Sequence, residues 1–370
     1  MKRWPTKTLG ELVSLEYGKA LKAEERSSNG RFPVFGSNGI VGAFDRALVN
    51  EPTIVVGRKG AIGESHLTEN GCWPIDTAFY TVLRERNTVS LRFLLLWFRS
   101  VDFKSLAITS TIPGLNRNTL YSQHVPVPPL AEQERIVKLL DEADELRKLR
   151  AQADRRTAAL IPSLFQEMFG DPVINPMGWV LATFGEVGEC RLGKMLDAKR
   201  QTGLHRRSYL RNVNVQWGRF DLSEVLKMDF DEKDRDVFRL RAGEILICEG
   251  GEVGRAAIWN DELPECYFQK ALHRARPNPK LAIPEYVQWL MLSLSKSGGL
   301  RDFTSQATIA HLTGVKLKTL RIPLPPLPLQ REFAAHVSEI LAMQAEQSAS
   351  RRRLDDLFHS LLHRAFQGQL

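Results

Sequence analysis

Two stretches of the chain, beginning at Leu130 and at Leu327, move from irregular spacing to a helical rhythm. In the first, Ile136, Leu139, Ala143, Leu146, Ala153, Leu160, Leu164 and Met168 recur at steps close to three and four. That spacing lays apolar side chains along one side of an α-helix. Glu132, Glu134, Asp141, Glu142, Arg147, Lys148, Arg155 and Arg156 occupy the other faces. In the second stretch Phe333, Val337, Ile340, Leu341, Leu354, Leu357, Leu361 and Phe366 repeat the pattern around a polar middle from Gln344 to Ser350. Arg150 interrupts the first stripe. Pro162 predicts a kink, since proline has no N–H for the helical ladder. Gly170-Asp171-Pro172 reads as a helix stop. A P-x-P-P-L strap precedes each helix and is predicted to be extended, because proline also restricts its predecessor. Pro328 and Leu329 stand where the first strap has Ala131 and Glu132, so the second helix is expected to start later.

Each helix would run for about 35–40 residues, or roughly 50–60 Å at 1.5 Å per residue. A stripe of that length exceeds what one small domain can cover. The natural partner of each helix is the other, as an antiparallel coiled coil. The expected organisation is a mixed domain over 1–129, a spacer helix over 130–170, a second mixed domain over 171–326 and a second helix over 327–370. The fold class is α+β, with a pseudo-two-fold axis and the domains toward opposite ends of a rod. Short helices are predicted near 90–100 and 284–295. The apolar residues Leu140, Leu149 and Phe165 fall off the predicted seam and are read as docking positions for other subunits.

The chain repeats itself. Trp4, Thr8, Gly10 and Glu11 match Trp179, Thr183, Gly185 and Glu186 without a gap. Further along, Thr111, Ile112, Leu115, Leu120, Pro126, Pro128, Pro129, Leu130 and Gln133 match Thr308, Ile309, Leu312, Leu317, Pro323, Pro325, Pro326, Leu327 and Gln330. Between these edges the halves diverge, with only scattered likenesses such as G-R-K-G-A-I-G (57–63) against E-G-G-E-V-G (249–254). The second half carries insertions. A shared frame with divergent middles predicts one scaffold bearing two specificities.

Bulk properties narrow the function. With 370 residues, two domains are the default. Net charge is +8, which favours a polyanionic partner without requiring one. No run of eighteen apolar residues occurs, so no membrane span is expected. The polar opening of the chain gives no sign of a secretory signal. Cys72, Cys190, Cys248 and Cys266 form no C-x-x-C pair and no zinc spacing with histidine, so they read as buried thiols in a reducing cytoplasm.

With these features the sequence resembles the specificity (S) subunits of type I restriction–modification enzymes, over nearly the whole chain. The likeness rests on the duplicated W-x-x-x-T-[LF]-G-E opening and on P-x-P-P-L-x-x-Q leading into each helix. It rests further on V-F-G-S-N-G-I-V-G (34–42), V-V-G-R-K-G-A-I-G (55–63), Y-L-R-N-V-N-V-Q-W-G (209–218) and L-R-A-G-E-I-L-I (240–247). The resemblance implies two target recognition domains, each reading one part of a split duplex DNA sequence, with helices that set the unread gap. It also implies docking of two methyltransferase subunits, which carry S-adenosylmethionine and methylate adenine N6. Restriction and motor subunits that use ATP and Mg2+ would join them. This chain would hold no cofactor or metal and catalyse nothing.

Loops on a rigid frame are the usual readers. In the first half these are Ser37 and Asn38 in G-S-N-G, Arg58 and Lys59 in G-R-K-G, and Asn116 and Arg117. Arginine pairs bidentately with guanine and asparagine with adenine; the alternative is ordinary hairpin turns with solvated side chains. In the second half Lys199, Arg206 and Arg207 are candidates for phosphate contact, which positions without specifying. Tyr209, Arg211 and Asn212 follow in a strand-like alternation that also takes in Val213 and Asn214. Glu249 and Glu252 lie in the counterpart of G-R-K-G, where a carboxylate could accept from cytosine. Gln269, Lys270, Thr308 and His311 complete the set, while Trp217 and Phe220 read as core.

Two other functions compete. A methyltransferase would need an N-P-P-[YF] element, and the nearest match, Asn175-Pro176-Met177-Gly178, lacks the second proline and the aromatic. No G-x-x-x-x-G-K-[ST], G-x-S-x-G or H-E-x-x-H motif occurs. A structural adaptor with two protein-binding domains would carry the same helices; sequence-selective binding of duplex DNA separates it from a reader.

Overall fold

The structure, a computed structural model, describes residues 4–103, 105–106, 114–197, 201–301 and 311–370. It divides into two compact units: Met1–Gln152 with Ser348–Leu370, and Ala153–Gln347.

The first unit opens with β1 (Thr6–Thr8), α1 (Leu9–Leu12), β2 (Val13–Tyr17), β3 (Phe32–Gly36), β4 (Gly39–Phe44), β5 (Thr53–Gly57) and β6 (Ser65–Thr68). It continues with β7 (Trp73–Pro74), β8 (Ala78–Leu83), α2 (Leu91–Ser100), α3 (Arg117–Tyr121), β9 (His124–Pro126) and α4 (Leu130–Ala158). Three small sheets result: β2-β8-β5-β6, β4-β3-β7, and the pair β1-β9. The core lies where α2 buries Phe93, Leu94 and Phe98 against Ile54, Val56 and Phe79. Ser90 starts α2 by accepting a hydrogen bond from Phe93 N–H, a normal N-cap.

After α5 (Leu160–Phe169), the second unit comprises β10 (Val180–Thr183), α6 (Phe184–Val187), β11 (Gly188–Leu192), β12 (Arg206–Leu210), β13 (Val215–Gln216), β14 (Arg219–Phe220) and β15 (Leu226–Asp229). There follow α7 (Glu232–Phe238), β16 (Ile245–Cys248), β17 (Ala256–Ile258), β18 (Tyr267–Phe268), β19 (Leu272–Pro277), α8 (Pro284–Ser297), α9 (Gly314–Thr319), β20 (Arg321–Leu324) and α10 (Leu327–Phe366). Its sheets repeat those of the first unit in order: β11-β19-β16-β17, β15-β12-β18, and β10-β20. The β13-β14 hairpin is extra. The expected short helices are therefore present as α2 and α8.

The repeated residues at the edges have physical work in common. Thr8 and Glu11 form a capping box, with Thr8 N–H donating to the Glu11 carboxylate at 2.6 Å. Thr183 and Glu186 do the same at 2.7 Å. Such boxes satisfy helix-start donors that have no intrahelical partner.

Each unit includes a stretch of both long helices. In the first, Ile136, Leu140 and Ala143 of α4 share a core with Phe358, Leu362 and Ala365 of α10. Arg147 reaches Asp355 at 2.7 Å and lies over the Phe358 ring at 4.5 Å. In the second, Phe165 and Phe169 of α5 pack on Phe333 at 5.6 and 5.2 Å between ring centroids. There Thr157 donates to Gln347 at 2.8 Å, so ascending numbers in one helix meet descending numbers in the other and the pair is antiparallel.

Three helix expectations are corrected. Leu140 and Phe165, expected on docking faces, are both buried in the seam. Leu146, Leu341 and Leu357, expected in the seam, are 51 %, 47 % and 46 % exposed. Leucines and phenylalanines stand side by side here, so a stripe one residue out of phase fits the spacing nearly as well. The second helix does not start late: α10 begins at Leu327, the counterpart of Leu130. Proline within the first turn costs nothing, since its missing N–H would have had no partner. The first helix breaks at Ala159, three residues before Pro162, and Gly170 caps its end at φ 75°.

Candidate nucleic-acid interface

The loop after β5 and the loop after β16 are built alike. Gly57 N–H donates to Glu64 O and Cys248 N–H to Arg255 O, both at 2.8 Å. Gly63 N–H then closes on Gly57 O at 2.9 Å, and Gly254 N–H on Cys248 O at 3.0 Å. Gly63 and Gly254 sit at φ of 79° and 82°. A Cβ there would stand 2.3 Å from Phe103 or 2.4 Å from Leu300, so only glycine fits on both counts.

Arg58 N–H donates to Thr77 O, and Glu249 N–H to Ala271 O, each at 2.9 Å. Leu115 N–H donates to Arg58 O at 2.9 Å, and Leu312 N–H to Glu249 O at 2.7 Å. Arg58 and Glu249 are thus structural counterparts, as the sequence suggested for their loops. Ile75 N–H to Phe35 O (2.8 Å) and Gln269 N–H to Leu210 O (3.2 Å) match β3 with β12, which makes Ser37 the counterpart of Asn212. Asn116 and Thr313 are the matching N-caps of α3 and α9, so Arg117 corresponds to Gly314. One backbone therefore holds different chemistry at equivalent points.

In the first unit the structure gathers Ser37, Arg58, Lys59, Asn116 and Arg117. A Cβ on Gly57 would lie 2.4 Å from Ser37 O, so the G-S-N-G hairpin abuts the G-R-K-G loop. Lys59 forms a backbone bridge with Gly114. The Arg58 guanidinium donates to Asp76 O at 2.9 Å, and that of Arg117 to Leu15 O at 3.4 Å. Both lie over the Tyr17 ring, at 5.0 and 5.2 Å from its centroid. Tyr17 itself was missed by the sequence reading. Its signal was faint: an aromatic ending a strand whose other alternate positions, Val13 and Leu15, are buried, yet itself 49 % exposed. Asn38 is exposed at the hairpin tip and lines a separate recess with His66, Arg99 and Lys148.

The second unit revises more of the candidates. Tyr209 is buried in the core, clustered with Met228, Phe230 and Tyr267, and so offers no side chain to a ligand. The expected alternation through 211–214 stops at Leu210, because Asn212–Asn214 is a short 3-10 turn. Asn214 sets that turn: its Oδ1 accepts from Arg211 N–H at 2.9 Å, and its Nδ2 donates to Asp221 O and Glu224 O. Arg211 pairs with Glu224 at 2.6 Å and Arg207 with Glu265 at 3.2 Å, whereas Arg206 is exposed. Asn212 Nδ2 donates to Gly250 O at 2.9 Å. Glu252 pairs with Arg255 at 3.6 Å and accepts from Trp217 Nε1 at 2.7 Å. Glu249 and Gln269 are half-buried; Lys270 and His311 are exposed. Phe220 and Trp217 are both half-buried and pack against core clusters, Phe220 edge-on to buried Trp259. Lys199 and Thr308 lie outside the described residues.

Asp229 organises the approach to Arg206. Its carboxylate accepts from Gly203 N–H at 2.7 Å and His205 N–H at 3.2 Å, and from Thr202. Burial opposes its charged form, but those hydrogen bonds outweigh it and hold the carboxyl below its usual range. Beneath the sheet, buried Arg274 binds Glu189 at 3.1 Å and Val237 O at 2.9 Å, and Arg276 binds Glu244. Burial pushes Arg274 down from its ordinary value. All four cysteines are free and buried; burial raises the thiols of Cys72, Cys190 and Cys266 to about 12. No group of three metal-ligating side chains occurs among the described residues. No described helix is long and apolar enough to cross a membrane.

Comparison with known proteins agrees with this arrangement. The type I restriction modification DNA specificity domain matches residues 1–154 and again 176–349. The EcoBI type I restriction enzyme specificity subunit of Escherichia coli is 22 % identical over 310 residues, covering 70 % of this chain and 61 % of that protein. This chain thus spans less than two thirds of that relative. The crystal structure of a type I restriction–modification S subunit from M. genitalium superposes with TM-score 0.57 at 17 % identity, over 98 % of this chain and 96 % of the other. A chain from the structural study of complex assembly and conformational transition of the type I R-M system gives TM-score 0.70 at 19 % identity, over 100 % and 99 %. At these identities the superpositions establish a common fold.

Proposed function

This chain belongs to the type I restriction–modification DNA specificity family, and from that premise we propose that it reads a bipartite duplex DNA target, one part with each unit. On this reading it leaves methylation and cleavage to partner subunits. One observation carries the proposal: equivalent loop positions on one repeated backbone hold Arg58 and Glu249, Ser37 and Asn212, Arg117 and Gly314. A duplicated frame kept for packing alone has no reason to exchange a cation for an anion at the same hydrogen-bonded point. Units that meet different parts of the DNA do, since a cation suits a phosphate or a guanine edge and a carboxylate suits a cytosine amino group.

The partners in this proposal are two methyltransferase subunits, carrying S-adenosylmethionine, and restriction or motor subunits using ATP and Mg2+. Their docking sites would lie on helix faces that keep large apolar side chains exposed: Leu146 and Leu149 on α4, Leu341 and Leu357 on α10. Exposed leucines along a helix favour a protein partner. The cell compartment is the cytoplasm, where duplex DNA and these partners meet in a bacterium.

Methylome sequencing of a host expressing the chain with its methyltransferase tests the reading, with a split methylated-adenine motif as the expected result. Exchanging residues 9–125 for those of a relative should then alter one half of the motif. Alteration of both halves would overturn the two-reader scheme, and an unmethylated genome would favour the adaptor.

A further inference from the structure

We infer that Tyr17, Arg58 and Arg117 form a clamp for one DNA phosphate, present in the first unit and missing from the second. This rests on the DNA-binding reading above and adds a specific ligand group to it. Both guanidiniums lie about 5 Å from one half-exposed ring, and neither has a carboxylate partner among the described residues. Elsewhere this protein neutralises its clustered arginines: Arg207 with Glu265, Arg211 with Glu224, Arg255 with Glu252, Arg276 with Glu244. Two unpaired cations on one ring repel each other unless an anion joins them. The Tyr17 face offsets part of that repulsion through its quadrupole and fixes where the guanidiniums point.

The unused donors define the ligand. Arg58 spends one N–H on Asp76 O, and its Nε is buried, which leaves its other terminal N–H groups to meet a ligand. Arg117 spends one on Leu15 O. The remaining N–H groups suit the oxygens of a full anion, which a phosphate supplies and a guanine edge, being only dipolar, does not. At the equivalent points the second unit has Leu192 across from His273, Glu249 and Gly314. A carboxylate at Glu249 would repel a phosphate, so the clamp belongs to one unit.

Binding of the full-length chain to a short duplex of arbitrary sequence, measured against salt, tests this. Each phosphate contact contributes about 0.9 to the slope of log affinity against log salt. Because the clamp holds one phosphate, Arg58→Ala combined with Arg117→Ala should lower that slope by about 0.9, and each alone should lower it measurably. Tyr17→Leu should lower it as well, while Tyr17→Phe, which keeps the ring, should not. Unchanged slopes in both arginine variants would overturn the clamp, as would an unchanged slope with altered base preference, which would make these residues base readers. The arginine variants leave the core intact and decide the question if Tyr17→Leu fails to fold. Absence of any salt-dependent binding by the unaltered chain would sink the DNA reading itself, a result distinguishable from a failed clamp.

Discussion

The side chains of Gln133 and Gln330 make the same three hydrogen bonds in two separate units. Gln133 Oε1 accepts from Ser90 N–H at 2.9 Å, and its Nε2 donates to Thr88 O and Pro128 O. Gln330 Oε1 accepts from Ile283 N–H at 3.0 Å, and its Nε2 donates to Leu281 O and Pro325 O. Each glutamine is fully buried. It sits one turn into a long helix and ties that helix to the strap before it and to the loop that leads into α2 or α8. Gln133→Ala should therefore orphan the buried Pro128 O and two part-buried backbone groups, Ser90 N–H and Thr88 O, at about 1–3 kcal/mol for a buried donor or acceptor left unpaired. A loss of at least about 2 kcal/mol in urea unfolding is expected, and a loss below about 0.5 kcal/mol, typical of surface changes, would contradict this role.

His273 makes stability depend on pH. Burial lowers its pKa, and its Nε2–H donates to Leu312 O at 2.8 Å, so the folded ring is neutral. Once unfolded, the ring takes up a proton near its ordinary value of about 6.5. Below that pH the unfolded state binds more protons than the folded one, and stability falls as pH drops. Thermal melting should show a decline from pH 8 to pH 5. The counterpart of His273 in the first unit is Phe79, facing Tyr17 as His273 faces Leu192. His273→Phe should flatten the decline, and an equally steep profile in that variant would assign the effect elsewhere.

The Asp229 carboxylate acts in the same direction as His273, in a more acidic window. Its pKa is held below the ordinary value, so its contribution is complete above about 3.9, the unfolded value. It is lost as pH falls through the depressed folded value. Asp229→Asn should loosen the turn at Thr202–His205 and raise proteolytic nicking there at neutral pH, with the rest of the unit intact.

The helix seam separates packing from docking. Leu140→Ala, at a fully buried position, should cost about 2–5 kcal/mol by leaving a cavity. Leu149→Glu, at a position 52 % exposed, should leave unfolding within about 0.5 kcal/mol of the parent. Co-purification with the methyltransferase subunit should nevertheless weaken in Leu149→Glu if α4 presents this face to a partner; unimpaired co-purification would remove Leu149 from the docking surface.

Much of this was legible without coordinates. Proline straps, capping residues and glycine stops act within a few residues, so the sequence by itself determined where the first long helical stretch begins and ends and that each long helix follows a mixed unit, though it misjudged the start of the second. Identical pairs such as Thr8 with Thr183 and Gln133 with Gln330 exposed the duplication, because each serves a local geometry that only those side chains satisfy. Tertiary structure alone decided which of two adjacent apolar residues faces the seam. Leu139 and Leu140, Leu164 and Phe165, Leu357 and Phe358 differ by one step of about 100° around a helix, and only the partner surface selects between them. It also decided which charged loop residues remain free. Arg211 and Glu224 stand thirteen positions apart and pair across a turn, while Tyr17, Arg58 and Arg117 come from three distant segments. Electrostatic pairing depends on distance in space, which no spacing along the chain records.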